Sequence, residues 1–392
     1  MNYITRKFGV ASANLGLLFT MYFTHFNIGM MAVLQGGLLP YIREEYNLTY
    51  AQSGLLLSSH QIGNLSAVML VGVLPLFIGK KKSALLLGPF AVIGFLLVTL
   101  FGGLAVLVLA YALIGIGRGT MSNTDTNVVS EISTNRASAL SSLNAFFALG
   151  ALSAPLLLVF GANIPFGWRA APYALSIIAI VAFVFLARST MSNKPTVKTS
   201  GGSFAFLKTS NFWLNSGVLF CYLAAEATIV GWFQVFFENT GLLPANIARV
   251  TPTLLWVMIL IGRLSCAAIP QRINKNRILL IFGAVFSISF VVIITTGSTA
   301  LAIICLVIVG LSMAGMFPLT IAVTDNTASS AVTGTLMAVA ISGAIIMPSI
   351  VGLIADAFSL TAGLNAVIIP LSVMLILLIV KNLPNKRKSG GN

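Results

Sequence analysis

The sequence predicts an all-α membrane protein, with twelve transmembrane helices in two pseudo-symmetric six-helix bundles. Three observations carry this expectation. Of 392 residues, 58% are hydrophobic and only 8% charged, with a mean hydropathy of +1.00, whereas a soluble chain carries roughly a quarter charged residues. Apolar runs of about 20 residues, long enough to cross ~30 Å of hydrocarbon as helix, recur from end to end. Landmarks of the first half of the chain return in the second at a nearly constant offset. A membrane β-barrel is excluded because the apolar segments are continuous rather than alternating.

The spans are read at 11–39, 50–78, 83–102, 104–131, 137–161 and 169–189, then at 211–237, 247–270, 277–297, 299–325, 329–355 and 361–381. Basic residues punctuate every second junction. Arg6 and Lys7 precede the first span, Lys80, Lys81 and Lys82 separate the second from the third, and Arg136 opens the fifth. Arg188, Lys194, Lys198 and Lys208 lie between the sixth and seventh, and Arg272, Lys275 and Arg277 between the eighth and ninth. Lys381, Lys386, Arg387 and Lys388 follow the twelfth. The intervening loops hold only Arg43, Arg169 and Arg249, so the count is 17 against 3. Positive residues stay inside, which puts both termini in the cytoplasm of a multi-pass cell (inner) membrane protein. The net charge of +14 is therefore topology, with some attraction to anionic membrane lipids, and no nucleic-acid partner is expected.

The longest polar stretch, RSTMSNKPTVKTSGG from Arg188 to Gly202, reads as a cytoplasmic linker. It divides the chain into an N-terminal bundle (1–189), a linker (190–210) and a C-terminal bundle with a short basic tail (211–392). The halves repeat. Pro75 and Pro270 are 195 residues apart, as are Gly115 and Gly310, while Gly150/Gly343 and Pro155/Pro348 are 193 apart. Duplicated six-helix halves mark a secondary transporter with its solute site near the midplane between them. The first apolar run is too long for a signal-peptide core, so no cleavable signal is expected. Cys221, Cys266 and Cys305 all fall in apolar spans and suit neither a disulfide framework nor a metal site.

GVLPLFIGKKK, Gly72 to Lys82, resembles the loop 2–3 signature of the major facilitator superfamily at Gly72, Leu74, Gly79, Lys80 and Lys81. The signature's Asp falls on Leu76, which weakens its usual role of tying the halves together in one conformation. CYLAAEATIVGW, TLLWVMILIGRL, GLSMAGMFPLTIA and SLNAFFALGALSAPLL are similar to spans 7, 8, 10 and 5 of the fucose/galactose/glucose:proton symporter-like branch. The resemblance implies the major facilitator fold, alternating access, and a cavity lined by helices 1, 4, 7 and 10. Two departures stand out. The Asp that sugar permeases of this branch carry on span 1 corresponds to Gly36, beside Gln35, and their span-4 carboxylate corresponds to Ser122, whereas the acid here is Asp125.

A charge in hydrocarbon costs at least ~2.5–3.5 kcal/mol, so ionisable residues inside spans are functional candidates. His25, Arg118 and Glu226 lie near the middle of spans 1, 4 and 7, at one depth on three of the implied cavity helices. Glu226 is the candidate proton carrier, because a carboxylate in low dielectric is cheaper neutral than ionised; a fixed ion pair is the bland alternative. Asp125 is the second candidate. Arg118 stays charged and needs a partner. Asp125 lies seven residues on, ~10 Å along the helix, and helical side chains lean toward the N-terminus. The expected partner of Arg118 is therefore Glu226 or an anionic group on the solute, with Asp125 apart in wetter surroundings.

His25 is either a proton shuttle, a donor to solute, or a packing residue. His60 is placed nearer the outer side as a packing residue. Ser122, Asn123, Asn127 and Asn144 offer hydrogen bonds to hydroxyl-rich solutes, or glue helices together. Tyr222, Trp232, Phe233 and Trp256 offer faces for a sugar ring, or pack. Arg263, toward the cytoplasmic end of span 8, reads as structural. Glu131 and Asp325 close the cytoplasmic ends of spans 4 and 10 near Arg136 and the basic loops, and join Arg272 and the loop 2–3 residues as gate or topology positions. Gly115 and Gly119 form a small-xxx-small contact pair.

Together these features favour proton-coupled symport of a small polar solute, sugar or sugar-derived, by a monomer. A drug or metabolite:proton antiporter is disfavoured because span 5 reads GALSAPLL rather than Gly-Pro-x-x-Gly-Gly. A non-transporting sensor is disfavoured by the intact midplane charges. An enzyme is not expected, for no nucleophile–base pair, metal cluster or phosphate loop stands out, and no cofactor is called for. The topology has a direct check. A cysteine placed at Ser200 is expected to react with a membrane-impermeant maleimide in inverted vesicles only; labelling in intact cells would overturn the assignment.

Overall fold

The computed structural model describes residues 7–161, 164–195, 204–267, 274–324 and 330–383. They form twelve helices long and apolar enough to cross a membrane. These are α1 (Ser12–Gly37), α2 (Tyr50–Ile78), α3 (Lys80–Leu100), α4 (Leu104–Ile132), α5 (Arg136–Gly161) and α6 (Gly167–Arg188), then α7 (Ser210–Thr240), α8 (Ala245–Ala267), α9 (Lys275–Thr295), α10 (Thr299–Thr324), α11 (Ser330–Ala357) and α12 (Leu360–Asn382). Every span read from the sequence corresponds to a helix among the described residues. The third starts three residues early, because Lys80, Lys81 and Lys82 form its first turn.

Local chemistry sets the ends and breaks. Thr49 and Gln52 make a reciprocal capping box at the start of α2. Gly241 ends α7 in the left-handed region (φ 64°). Pro75 breaks the last turn of α2, and α3 is interrupted at Gly88–Pro89. Pro155 and Pro348, matched in the repeat, both sit inside helices, α5 and α11. Membrane helices tolerate such prolines because neighbours re-satisfy the freed carbonyls.

Lipid offers no hydrophobic drive between helices, so close contact depends on small residues. A Cβ added at Gly29 of α1 would lie 1.9 Å from the Phe147 carbonyl oxygen of α5, and one at Gly150 the same distance from that of Phe26. Gly115 of α4 presses on the backbone of His60 in α2 (2.0 Å), and Gly119 on Asn64. Gly343 of α11 repeats the device against Phe220 of α7 (2.2 Å).

Contacts between the first six helices and the last six cluster at the end opposite the lysine-rich loops. The Ser58 and Ser349 hydroxyls lie 2.7 Å apart, and the Asn239 amide donates to the Tyr50 hydroxyl (2.7 Å). The Tyr50 and Ala51 backbone N–H groups donate to Asp356 Oδ1 and Oδ2 at 2.7 and 2.8 Å. Asp356, on α11, thus places a carboxylate on the positive end of α2, where first-turn N–H groups have no intrahelical acceptor. Toward the other end the cavity face of α4 opens: Arg118 and Ser122 are half-buried and Thr126 is exposed. Asp356 was not among the residues singled out by sequence, since an acid at a span end reads as a loop charge.

If Asp356 latches this end, Asp356→Ala should lengthen the distance between spin labels at the exposed positions Asn47 and Phe358. An unchanged distance distribution would show that the capping contact does not hold the two ends together.

Candidate functional site

Helices α1, α2, α4, α5, α7, α8, α10 and α11 enclose a polar cavity of about 310 Å³, at the lower end of the roughly 300–1,000 Å³ range of ligand pockets. Its wall on α4 runs along one ridge, Arg118, Ser122 and Thr126, and on α7 along Leu223, Glu226, Ala227, Val230 and Gly231. His25, Gln35 and Gly36 come from α1, Gln61 and Asn64 from α2, and Asn144 and Phe147 from α5. Trp256 and Arg263 come from α8. Gln35 and Gly36, the positions that the resemblance matches to a span-1 acid, both reach the cavity.

Glu226 is the one carboxylate on this wall among the described residues. The groups acting on it are the Tyr222 hydroxyl and the guanidinium groups of Arg263 and Arg118. One arginine belongs to each half of the chain. Arg263 Nη1 donates to Asn144 Oδ1 at 3.3 Å, linking α8 to α5. Arg263, read from the sequence as structural, thus ties two helices and also lines the cavity. Its Gly-Arg setting and its place near a span end pointed to a helix terminus, but its long side chain reaches the cavity.

Asp125 is fully buried and lies off the cavity wall. Its Oδ1 accepts from the Thr24 hydroxyl (2.8 Å) and its Oδ2 lies 3.2 Å from His25 Nδ1. The expectation of wetter surroundings is therefore wrong. The cavity ridge on α4 advances four residues at a time and rotates as it goes, leaving position 125 turned toward α1. His25 joins the two environments, with its ring on the cavity and against Phe147 (5.8 Å between centroids). His60 packs, as the sequence suggested: it is buried against α4, where Gly115 meets its backbone.

Other candidates divide. Ser122, Asn144 and Trp256 line the cavity, the last packed edge-on to Phe147 at 5.0 Å. Asn123 does not line it, and donates back to the Gly119 carbonyl (2.8 Å). Asn127 lines a separate crevice with Gly72 and Lys80. Tyr222 donates to the Met313 carbonyl (3.2 Å), one turn from Glu226. Trp232 and Phe233 are fully buried in packing, Trp232 against Tyr50 (6.0 Å) and Phe233 stacked on Phe290 (5.8 Å). The α7 ridge that holds Glu226 continues through Val230 and Gly231, so the next two residues turn away. Gln61, Asn64 and Thr126 line the cavity and were missed; their signal was a polar side chain at midplane depth on helices 2 and 4.

At the lysine-rich end, Lys80 pairs with Glu131, and Lys81 donates to the Ser189 carbonyl (2.7 Å). Both contacts stay within the first half, as does that of Gly79, where φ is 84° and an added Cβ would lie 2.3 Å from the Asn193 carbonyl oxygen, which excludes a side chain. Gly72 meets no such demand. Arg136 is exposed at the start of α5. Arg272 and Asp325 lie outside the described residues.

A family model described as Major Facilitator Superfamily matches residues 21–342. The glucose/mannose transporter GlcP of Bacillus subtilis (strain 168) is 25% identical over 315 residues, covering 76% of this chain and 77% of that protein. An uncharacterized transporter of the same type from Yersinia pestis is 23% identical over 343 residues, 84% of this chain and 86% of that one. Among solved structures, a mutant of the nucleoside transporter NupG aligns with a TM-score of 0.78 at 11% identity, over 94% of this chain and 98% of that chain. A bacterial homologue of the human lysosomal transporter Spinster, crystallised inward-facing and occupied, gives 0.73 at 12% identity, over 94% and 97%. Such low identities show a shared fold.

The division between wall and packing residues is testable. Phe233→Ala should cost on the order of 3 kcal/mol of stability by opening a cavity in the α7–α9 packing. Trp256→Ala should leave stability nearly intact and weaken solute binding. The reverse pattern in thermal unfolding and binding assays would overturn the assignment.

Proposed function

The chain belongs to the Major Facilitator Superfamily, and on that premise we propose that it takes up a small polar solute together with a proton by alternating access. It is a multi-pass membrane transporter, not an enzyme. The solute is a sugar or sugar-derived compound, a reading supported by the polar, hydroxyl- and amide-lined cavity and by the named activity of the Bacillus subtilis relative. The halves 1–189 and 211–392 rock about the cavity, joined by the 190–210 linker. The lysine-rich end faces the cytoplasm of a cell (inner) membrane, so the state described is open inward.

One observation supports the coupling: Glu226 is the one carboxylate on the cavity wall among the described residues, and it shares that wall with an arginine from each half of the chain. Ionised, it pairs with Arg118 and Arg263, and the cavity rests with its charges partly matched. A proton taken from outside neutralises it. Both guanidinium groups then lose their partner and present N–H donors to an incoming solute. Return of the proton to the cytoplasm restores the pairing and expels the solute. Coupling thus rests on competition between one carboxylate and the solute for the same donors. The buried Thr24–Asp125–His25 group holds the imidazole at the rim of this exchange.

Glu226→Gln keeps the shape of the protonated acid and cannot release a proton. It should abolish accumulation driven by a pH gradient while retaining solute binding and exchange. If reconstituted Glu226→Gln still concentrated solute with the wild-type pH dependence, the coupling role would belong elsewhere.

A further inference from the structure

We propose that the solute is a small hydroxylated monoanion, a sugar acid or a similar carboxylate, and that Arg263 binds it together with Arg118. The inference rests on the proton-coupled reading above and narrows it to one charge class.

Three features of the cavity converge on this ligand. The first is the balance of donors. Arg118 Nε, Arg263 Nε and Trp256 Nε1 are buried without a hydrogen-bond partner, and all three residues line the cavity. Gln35 Oε1 is the matching orphan acceptor on the wall, so among the described residues unpaired N–H donors outnumber unpaired acceptors. Buried donors left without partners are costly, and a carboxylate with neighbouring hydroxyls supplies acceptors to several at once. The second is geometry. Arg263 is held by Asn144 at 3.3 Å and Arg118 stands across the cavity on α4, so a ligand between them touches both halves of the chain. Planar guanidinium forks suit a carboxylate better than an ammonium group does.

The third is conservation of charge through the cycle. With two arginines and an ionised Glu226, the empty wall carries one net positive charge. A proton on Glu226 with no solute leaves two positive charges in low dielectric, an expensive state that blocks proton leak. A neutral sugar entering with the proton leaves the same two charges unmatched. A monoanion entering with the proton restores a single net charge, its carboxylate replacing that of Glu226 beside the arginines. Empty and loaded forms then meet the same electrostatic barrier when the halves rock. The His25–Asp125 pair, 3.2 Å apart, is a separate contact and is not counted in this balance.

The test uses the full-length protein, purified and titrated by calorimetry with D-glucuronate and with D-glucose, which differ in the carboxylate at one carbon. Glucuronate is expected to bind more tightly, and Arg263→Lys to weaken it by about tenfold or more, the worth of one charge-assisted hydrogen bond. In proteoliposomes, proton-coupled glucuronate uptake should move no net charge, so it should follow the pH gradient and ignore an imposed membrane potential. This readout needs no variant to fold. Glucose binding as tight as glucuronate, binding of neither, or unchanged glucuronate affinity in Arg263→Lys would overturn the proposal. Glucose uptake with a proton current would also overturn it, while leaving proton-coupled transport intact. Glucuronate binding that needs Arg263 without proton-driven accumulation would uphold the anion site and remove the coupling reading instead.

Discussion

A guanidinium group placed at the middle of a membrane must find negative charge, because hydrocarbon solvates ions so poorly. Here two arginines, one from each half of the chain, line the same cavity as Glu226, the one carboxylate on its wall among the described residues. Much of the architecture serves that arrangement. Helices α4, α7 and α8 deliver the three charges to one depth, and α5 holds Arg263 through Asn144. Polar residues of α1 and α2 complete a wall in which water and solute can stand. On the proposed reading, the shortage of negative charge makes the cavity responsive to whichever carboxylate is present, the protein's own or one brought in.

Much of the fold was legible in the sequence because a bilayer imposes simple rules. Segment length, continuous apolarity and the alternation of basic loops each leave a mark that needs no three-dimensional context. The repeat added the pairing of landmarks, and Pro155 and Pro348 do occupy corresponding helices. The site was less legible. Midplane depth can be counted along a span, which is how His25, Arg118 and Glu226 came together. Direction around a helix cannot be counted when every face is apolar. On α7 every residue from Thr228 to Phe237 is buried, so Trp232 and Phe233 looked as eligible as any. Arg263 lines the cavity although it sits toward a span end, because a long side chain reaches beyond its own turn.

The two ends of the molecule are held by different chemistry. At one, backbone N–H groups of α2 meet the Asp356 carboxylate, a contact between halves that rearrangement must break. Close by, Arg169 and Trp168 hold Glu45 within a single half, where rearrangement leaves them untouched. Hydrogen bonding and the charge of Arg169 keep Glu45 below the usual carboxylate range despite partial burial. The contrast follows from what each contact must do: the internal one can be strong without cost to movement, whereas the one between halves must be reversible. At the lysine-rich end the ties of Lys80 and Lys81 also stay inside the first half, which fits a side that is open.

The glycine seam between α1 and α5 has a mechanical consequence. Where Gly29 and Gly150 press backbone on backbone, no side chain lies between the helices to change rotamer or slide. The pair therefore behaves as a stiff plank, and load applied at its ends is transmitted rather than absorbed. His25 rides on one member of that plank, with Asn144 and Phe147 on the other, so this part of the cavity turns as a unit. Compliance must then come from elsewhere, and α2, broken at Pro75, and α3, interrupted at Gly88–Pro89, are the natural springs.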